Sequence, residues 1–350
     1  MSDVAAYGGE DLQAVAVNWL PLSRGTRFMR VKKGYASSNW VFSHKGNKYV
    51  LKRYMDFKKK MDLVAEHRIS EHVAREGFPH QIPRMLISKS GKPFAESGGA
   101  LYSLYRFIPG STGFAIGEND ALEIGAIAAR LHSIIEKPRF RAKKRSGFQT
   151  IERIGERIDR NGAEARGLRS TDAKAFLSAC EWFSPALRNL DLSHYETLKT
   201  YPVHCDISPD NLIWRRGRIS GLLDFSNMAR YRDAVLMDLA WAAHHCCVDS
   251  STAAGYDKRL IGSMLKGYSA IRSLTKDDME TLPRLMVVAN AFDLEFAYQL
   301  QAATGKDQKA RMLGTVGRSR WLLRNSGWFA SASGGTWHSY PDSNADTVPA

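Results

Sequence analysis

Residues 204–211 read His204-Cys205-Asp206-Ile207-Ser208-Pro209-Asp210-Asn211, and Leu222-Leu223-Asp224-Phe225 follows them. Two acids and an amide therefore converge on one loop region around a short hairpin, whose strands are read at 211–214 and 219–223, with Arg215-Arg216-Gly217-Arg218 as the turn. Phosphoryl transfer from a nucleotide requires a carboxylate beside the attacking hydroxyl and hard oxygen ligands for Mg2+, because the ion neutralises charge on the β and γ phosphates. In that chemistry Asp206 serves as base, and Asn211 and Asp224 hold the metal. A five-residue Asp-to-Asn spacing recurs by chance; joined to a hairpin and to an Asp-Phe pair eighteen residues after Asp206, it is specific.

The elements that must position these groups fall into two kinds. Short β-like segments dominate the first hundred residues, at 28–31, 39–43, 49–54 and 100–107, with Lys45-Gly46-Asn47 as a turn. One helix is expected between them at 58–75, stopped by Gly77 with Pro79 and Pro83 beyond it. After Pro109-Gly110 helical periodicity takes over, at 118–136, 149–160, 172–189, 234–247, 256–271, 277–303 and 308–324. The fold class is therefore α+β, a sheet carrying one helix followed by a mainly helical remainder. The segment 331–350 has no period and reads as a mobile tail.

Composition narrows the function class. With 350 residues, 44% of them hydrophobic, the chain can bury a large core, which excludes a minimal binding module and general disorder. Four cysteines at irregular spacing do not make a disulfide framework and point to a reducing compartment, the cytoplasm. No stretch approaches eighteen apolar residues and no basic start precedes an apolar run, so neither membrane spanning nor secretion is expected. The net charge of +14 favours anionic partners. Its densest run, from Lys137 to Arg145, holds Phe140 as its one aromatic residue and reads as a solvated face, which disfavours nucleic acid. His244-His245-Cys246-Cys247 is not a zinc site, because four consecutive helical residues point in four directions.

Over about residues 28–300 the sequence resembles the protein-kinase-like small-molecule phosphotransferases, the group of aminoglycoside phosphotransferases, choline kinases and the related bacterial homoserine kinases. The family's loop reads His-Gly-Asp, four residues, Asn; here Cys205 takes the glycine's place and Ser226 follows the later Asp-Phe. The resemblance implies a bilobal fold, with a nucleotide-binding lobe at 1–107 and a helical catalytic and substrate lobe at 108–330. It implies ATP and Mg2+ as cofactors and a small-molecule hydroxyl as acceptor.

Family correspondence extends to the first half. Val50-Leu51-Lys52 matches the strand lysine that contacts the α and β phosphates, and Glu66, eleven residues before Gly77, matches the helix glutamate that fixes it, with Glu71 as the fallback. The phosphate-covering loop falls on Gly34-Tyr35-Ala36-Ser37-Ser38-Asn39, with Gly34, Ser37, Ser38 and Asn39 near the nucleotide. Leu104-Tyr105-Arg106-Phe107-Ile108-Pro109-Gly110 resembles the adenine-binding hinge, with Phe107 packed nearby, while Asp238 and His132 match structural positions. The stretch from Asp238 to Cys247 resembles the homoserine kinase branch, a resemblance that implies an amino acid or amino alcohol such as homoserine as the expected acceptor. An aminoglycoside is the alternative; a basic chain argues against so cationic a substrate. A catalytically silent scaffold that binds an acidic partner or RNA is the reading of another class, and four retained phosphotransfer residues speak against it. The sequence carries no signal for oligomeric state.

Overall fold

The computed structural model describes residues 11–31, 37–54, 59–137, 140, 151–166 and 171–331. In chain order the elements are α1 (Leu12–Ala16), β1 (Met29–Val31), β2 (Ser37–His44), β3 (Asn47–Tyr54), α2 (Lys60–Arg75), β4 (Ala95–Ser97), β5 (Ala100–Arg106), α3 (Glu118–Ile135), α4 (Ile151–Ala165), α5 (Thr171–Arg188) and α6 (Ser193–Thr197). After these come β6 (Tyr201–Pro202), β7 (Leu212–Arg215), β8 (Arg218–Leu222), a 3-10 turn at Asn227–Ala229, β9 (Arg232–Asp233), α7 (Val235–Cys246), α8 (Lys258–Ser269), α9 (Lys276–Thr304), α10 (Lys309–Arg324) and α11 (Ser326–Ser331). The α+β class expected from the sequence holds. The chain packs as two compact units, the first within Met1–Ala115, Leu131–Gly147 and Lys199–Asp233, the second within Ile116–Arg130, Phe148–Leu198 and Ala234–Ala350.

The first unit is built on an antiparallel sheet of order β1-β2-β3-β5-β4. Lys45 and Gly46 both take positive φ, 48° and 76°, the turn geometry that closes a two-residue hairpin between His44 and Asn47. Side chains alternate across each strand. Tyr49 and Leu51 of β3 join Tyr102 and Leu104 of β5, with Val15, Ala16 and Trp19 covering that face. The opposite face carries Tyr54, Tyr105, Val50 and Leu101 against Leu63 of α2. Lys52 shares the parity of Val50 and Tyr54, so the same alternation that builds the core turns its ammonium toward α2.

Helix α2 buries Leu63, Glu66, Ile69 and Val73, a stripe with helical spacing in which the second member is an acid. The backbone N–H of Lys59 donates to Asp62 at its start, and Gly77 follows its end with φ 78°. The short hairpin β7–β8 is anchored inside this unit: Gln81 exchanges hydrogen bonds with Ser220 and Leu222, and Ser111 with Trp214. A Cβ on Gly110 would lie 2.3 Å from Ile213 Cγ2 and 2.6 Å from the Trp214 carbonyl oxygen, so the Pro109-Gly110 step touches the hairpin at backbone distance.

The second unit is helical. Its apolar core is threaded by a buried polar cluster: His244 Nδ1 meets the Tyr256 hydroxyl at 3.0 Å, Arg318 donates to Asn290 at 2.9 Å and to Asp293 at 3.0 Å, and Arg311 also pairs with Asp293. His244 is thus part of the buried core. Helices α3 and α8 meet through glycines: a Cβ on Gly125 would fall 1.9 Å from the Met264 carbonyl oxygen, and one on Gly267 1.9 Å from that of Leu122. Gly267→Ala must therefore push two backbones apart, and a loss of about 3 kcal/mol, read as a lowered thermal midpoint, is expected. All four cysteines are free and buried. Among the described residues no helix is long and apolar enough to cross a membrane.

Several small elements were not visible in the sequence, and several boundaries differ from expectation, the largest at α4, expected to end at 160 and running to Ala165. Strand β2, expected from 39, begins two residues earlier, so Ser37 and Ser38 of the expected phosphate loop join Asn39 in the ladder, opposite Tyr54, Arg53 and Lys52. The helix expected from 256 begins at Lys258, where the Asp257 side chain accepts from the Arg259 N–H. Gly34 and the tail from 332 lie outside the described residues.

Candidate active site

The residues singled out for chemistry lie in the first unit, on β3, on α2 and on the two loops that flank the β7–β8 hairpin. The hairpin fixes their spacing. Asn211 N–H bonds back to the Ser208 carbonyl at 2.9 Å, and Leu223 N–H reaches the Asn211 carbonyl at 2.7 Å, so the segments before and after the hairpin are stitched to each other at its open end.

Asp206 and Asn211 meet directly: Asn211 Nδ2 donates to Asp206 Oδ2 at 2.6 Å and to the Asp206 carbonyl at 2.9 Å. Both amide protons are thereby used, which leaves Oδ1 as the outward atom. Burial and the neighbouring charge of Asp224 push the Asp206 carboxyl up to about 7, against the opposing hydrogen bonds from Asn211 and Ser208.

Asp224 lies 3.6 Å from Lys52 Nζ. Burial works to raise its carboxyl, but the Lys52 charge and the hydrogen bonds from Ser226 hold it well below the usual range. For Lys52, burial opposes the charge, and the carboxylates of Asp224 and then Glu66 outweigh it and lift the ammonium above its ordinary value. Glu66 is 2% exposed and accepts from the Tyr105 hydroxyl at 3.1 Å. The fallback Glu71 is bridged instead by Arg84, whose Nε donates at 2.7 Å. Burial and electrostatics thus distinguish two glutamates that sequence spacing left as alternatives.

Two backbone conformations mark the loops. Cys205 has φ 49° and Asp224 φ 60°, both in the left-handed region that disfavours residues with a Cβ. The first explains why a glycine is at home at position 205 in the resembled family; this chain accepts the strain and buries the thiol. His204 donates Nε2–H to the Leu223 carbonyl at 2.8 Å, packs edge-on to Phe225, and takes an Asn227 amide bond on its own carbonyl. It ties the two loops together.

The remaining candidates sit as follows. Asn39 is directly opposite Lys52 in the β2–β3 ladder, so both project from one face, and Asn39 Nδ2 meets Ser37 Oγ at 3.3 Å. Ser38 pairs with Arg53 and, by alternation, projects to the other face. Phe107 lies just past β5; its N–H is bound by the Lys48 carbonyl at 3.0 Å, and Lys48 Nζ stands 5.7 Å over its ring. Asp238 and His132 are fully buried, the first in the opening turn of α7. Sequence reasoning missed Tyr54 and Tyr105. The Tyr54 ring lies 5.2 Å beneath Lys52 Nζ, and its hydroxyl is bonded to that of Tyr105.

Residues 27–274 match the APH phosphotransferase enzyme family. The homoserine kinase of Chelativorans sp. (strain BNC1) is 25% identical over 272 residues, which span 76% of this chain and 77% of that protein. That of Granulibacter bethesdensis is 25% identical over 261 residues, spanning 74% and 76%. Among solved structures, the microcompartment-associated aminopropanol kinase shares the fold with a TM-score of 0.65 at 14% identity, covering 91% of this chain and 98% of its own. Amicoumacin kinase hAmiN, solved with AMP-PNP, Ca2+ and Ami, gives 0.62 at 15% identity, covering 91% and 92%. A match over most of the chain, on a fold that these kinases share, settles the family: the chain belongs to the phosphotransferase enzyme family and is a small-molecule phosphotransferase that acts on a hydroxyl group.

Proposed function

We propose that this phosphotransferase uses ATP and Mg2+ to phosphorylate a small amino acid or amino alcohol, with homoserine as the acceptor. One observation carries the reading: Lys52 Nζ stands 3.6 Å from the Asp224 carboxylate, in a site that also holds Asp206 hydrogen-bonded to Asn211. Lys52 binds the donor's phosphates, and Glu66 keeps it charged. Asp206 orients the acceptor hydroxyl and takes its proton as the oxygen bonds to the γ-phosphorus and the bond from that phosphorus to the β,γ-bridging oxygen breaks, releasing ADP; a base that titrates near neutrality is matched to that task.

The donor set fits magnesium. The Asp224 carboxylate and the outward Oδ1 of Asn211 are hard oxygens, and so small a protein set suits an ion that keeps waters and phosphate oxygens in its shell. When bound, the ion supplies charge neutralisation on the transferred group. For the base of the nucleotide, the Phe107 N–H is already taken by the Lys48 carbonyl, so Phe107 meets the adenine by packing. The homoserine assignment is supported by the relatives named above, which match over about three quarters of both chains.

A phosphate-transfer screen over homoserine, choline and an aminoglycoside tests this. Turnover of homoserine with ATP and Mg2+, abolished by chelator, is expected. Turnover of the aminoglycoside alone would replace the acceptor. Failure of ATP with Mg2+ to raise the melting temperature, together with steeply salt-dependent binding to polyanions, would favour a non-catalytic scaffold.

A further inference from the structure

We propose that Tyr105 and Tyr54 are positioning residues for the phosphate-binding lysine, acting through Glu66. This rests on the reading of Lys52 as that lysine. The observation is a chain of contacts in the first unit that starts at the lysine and ends on a buried acid: Lys52 over the Tyr54 ring, Tyr54 hydroxyl to Tyr105 hydroxyl, and Tyr105 hydroxyl to Glu66, whose charge bears on Lys52.

Proton counting gives the chain of contacts a direction. A phenol has one proton to donate. Tyr105 spends its own on Glu66 Oε1 at 3.1 Å, so the bond between the two hydroxyls must run from Tyr54 to Tyr105. The chain Tyr54 to Tyr105 to Glu66 thus ends on a carboxylate, and each donor sharpens the next. Burial, with the Glu66 charge behind it, raises both phenols well above their ordinary value, so they stay protonated and remain donors.

Packing alone does not account for the hydroxyls. Tyr54 and Tyr105 are 2% and 6% exposed, within an otherwise apolar cluster of Leu63, Met85 and Phe94. Phenylalanine would fill nearly the same volume without a polar group to satisfy. What the hydroxyls add is control over Glu66. Two acids pull on the Lys52 ammonium from different elements, Glu66 from α2 and Asp224 from the loop after β8. A hydrogen bond donated to Glu66 drains charge from its oxygen and holds the carboxylate in one orientation, which leaves the ammonium poised beside Asp224. Without that bond Glu66 can turn in its site, and the ammonium loses its fixed place beside Asp224.

The test is steady-state kinetics with ATP, Mg2+ and the acceptor found by the screen, on Tyr105→Phe, Tyr54→Phe, Glu66→Gln and the Tyr105→Phe/Glu66→Gln double variant, with Lys52→Met as control. Tyr105→Phe should raise KM for ATP about tenfold, as for loss of a hydrogen bond to a charged group, with the acceptor KM within about twofold. Tyr54→Phe, which keeps the ring under Lys52, should give a smaller rise in the same constant. In the Glu66→Gln background the Tyr105→Phe effect should vanish, because its route has been removed. An undiminished effect in that background overturns the proposal, as does an ATP KM unchanged in both tyrosine variants while Lys52→Met is crippled. Should Tyr105→Phe fail to fold, Tyr54→Phe alone decides, and an unchanged ATP KM there overturns it. If Lys52→Met itself keeps wild-type ATP kinetics, the underlying reading of Lys52 is what has failed.

Discussion

Asp206→Asn is expected to lower kcat by about three orders of magnitude while leaving nucleotide affinity within a few-fold of wild type, because the amide keeps the shape and loses the basic oxygen. The same substitution should raise stability. In the folded chain the Asp206 carboxyl titrates near 7, whereas in the unfolded chain it has the ordinary aspartate value near 4. Its folded value is raised, so the native state carries no penalty from this group below about pH 4, loses stability as pH climbs toward 7, and bears the full cost above. That cost is on the order of 2–4 kcal/mol at pH 8. Asp206→Asn escapes it, so the variant should melt several degrees above wild type at pH 8 and alike below pH 4. Wild-type kcat/KM, measured with ATP and Mg2+, should rise with pH through about 7, as the proton leaves this carboxyl. Thermal melts at the two pH values and a pH–rate profile check both halves. A variant that turns over at the wild-type rate would remove Asp206 from the chemistry.

Asp224→Asn carries the second large effect. It strips the negative charge from beside Lys52 and from the donor set assigned to magnesium, so the thermal shift produced by ATP with Mg2+ should disappear and turnover should fall by about 100-fold or more. The fold should survive, since asparagine is among the few residues at ease in the left-handed backbone that Asp224 adopts at φ 60°. A second consequence follows from the coupling of the two acids. The Asp224 charge is one of the causes that raise Asp206, so its removal should move the residual activity's acid limb to lower pH. Calorimetry with the nucleotide in the presence and absence of Mg2+ reads the first effect. Unimpaired metal-dependent binding would exclude Asp224 as a ligand.

The parts of this site that were legible in the sequence are those held by local geometry. Asp206, Asn211 and Asp224 are bound by a hairpin of a few residues, so their spacing survives as a pattern, and Lys52 ends a strand whose alternation fixes its face. Glu66 and Glu71 could not be told apart by spacing, because the distinction is tertiary: one is buried near Lys52 and the other is claimed by Arg84. Tyr54 and Tyr105 were invisible for the same reason, since they belong to different strands and meet only across the sheet. The short elements α1, β4, α6, β6 and β9 run two to five residues, below the length at which periodicity gives a signal. Ser37 and Ser38 read as loop because serine favours turns, yet pairing with β3 draws them into the ladder that was expected to start at Asn39.

The sheet carrying Lys52 and the loop carrying Asp224 belong to one compact unit, although the whole stretch between Ala115 and Lys199, save a short return, folds elsewhere. During synthesis the nascent sheet must therefore wait for its second carboxylate. At about 5–20 residues per second, ribosomes leave the lysine without that counter-ion for roughly ten to thirty seconds. The amino-terminal strands thus emerge as an unfinished piece, and a truncated transcript or a premature stop before position 224 would yield a sheet whose buried lysine has only Glu66 to offset its charge, a natural target for chaperones and proteases.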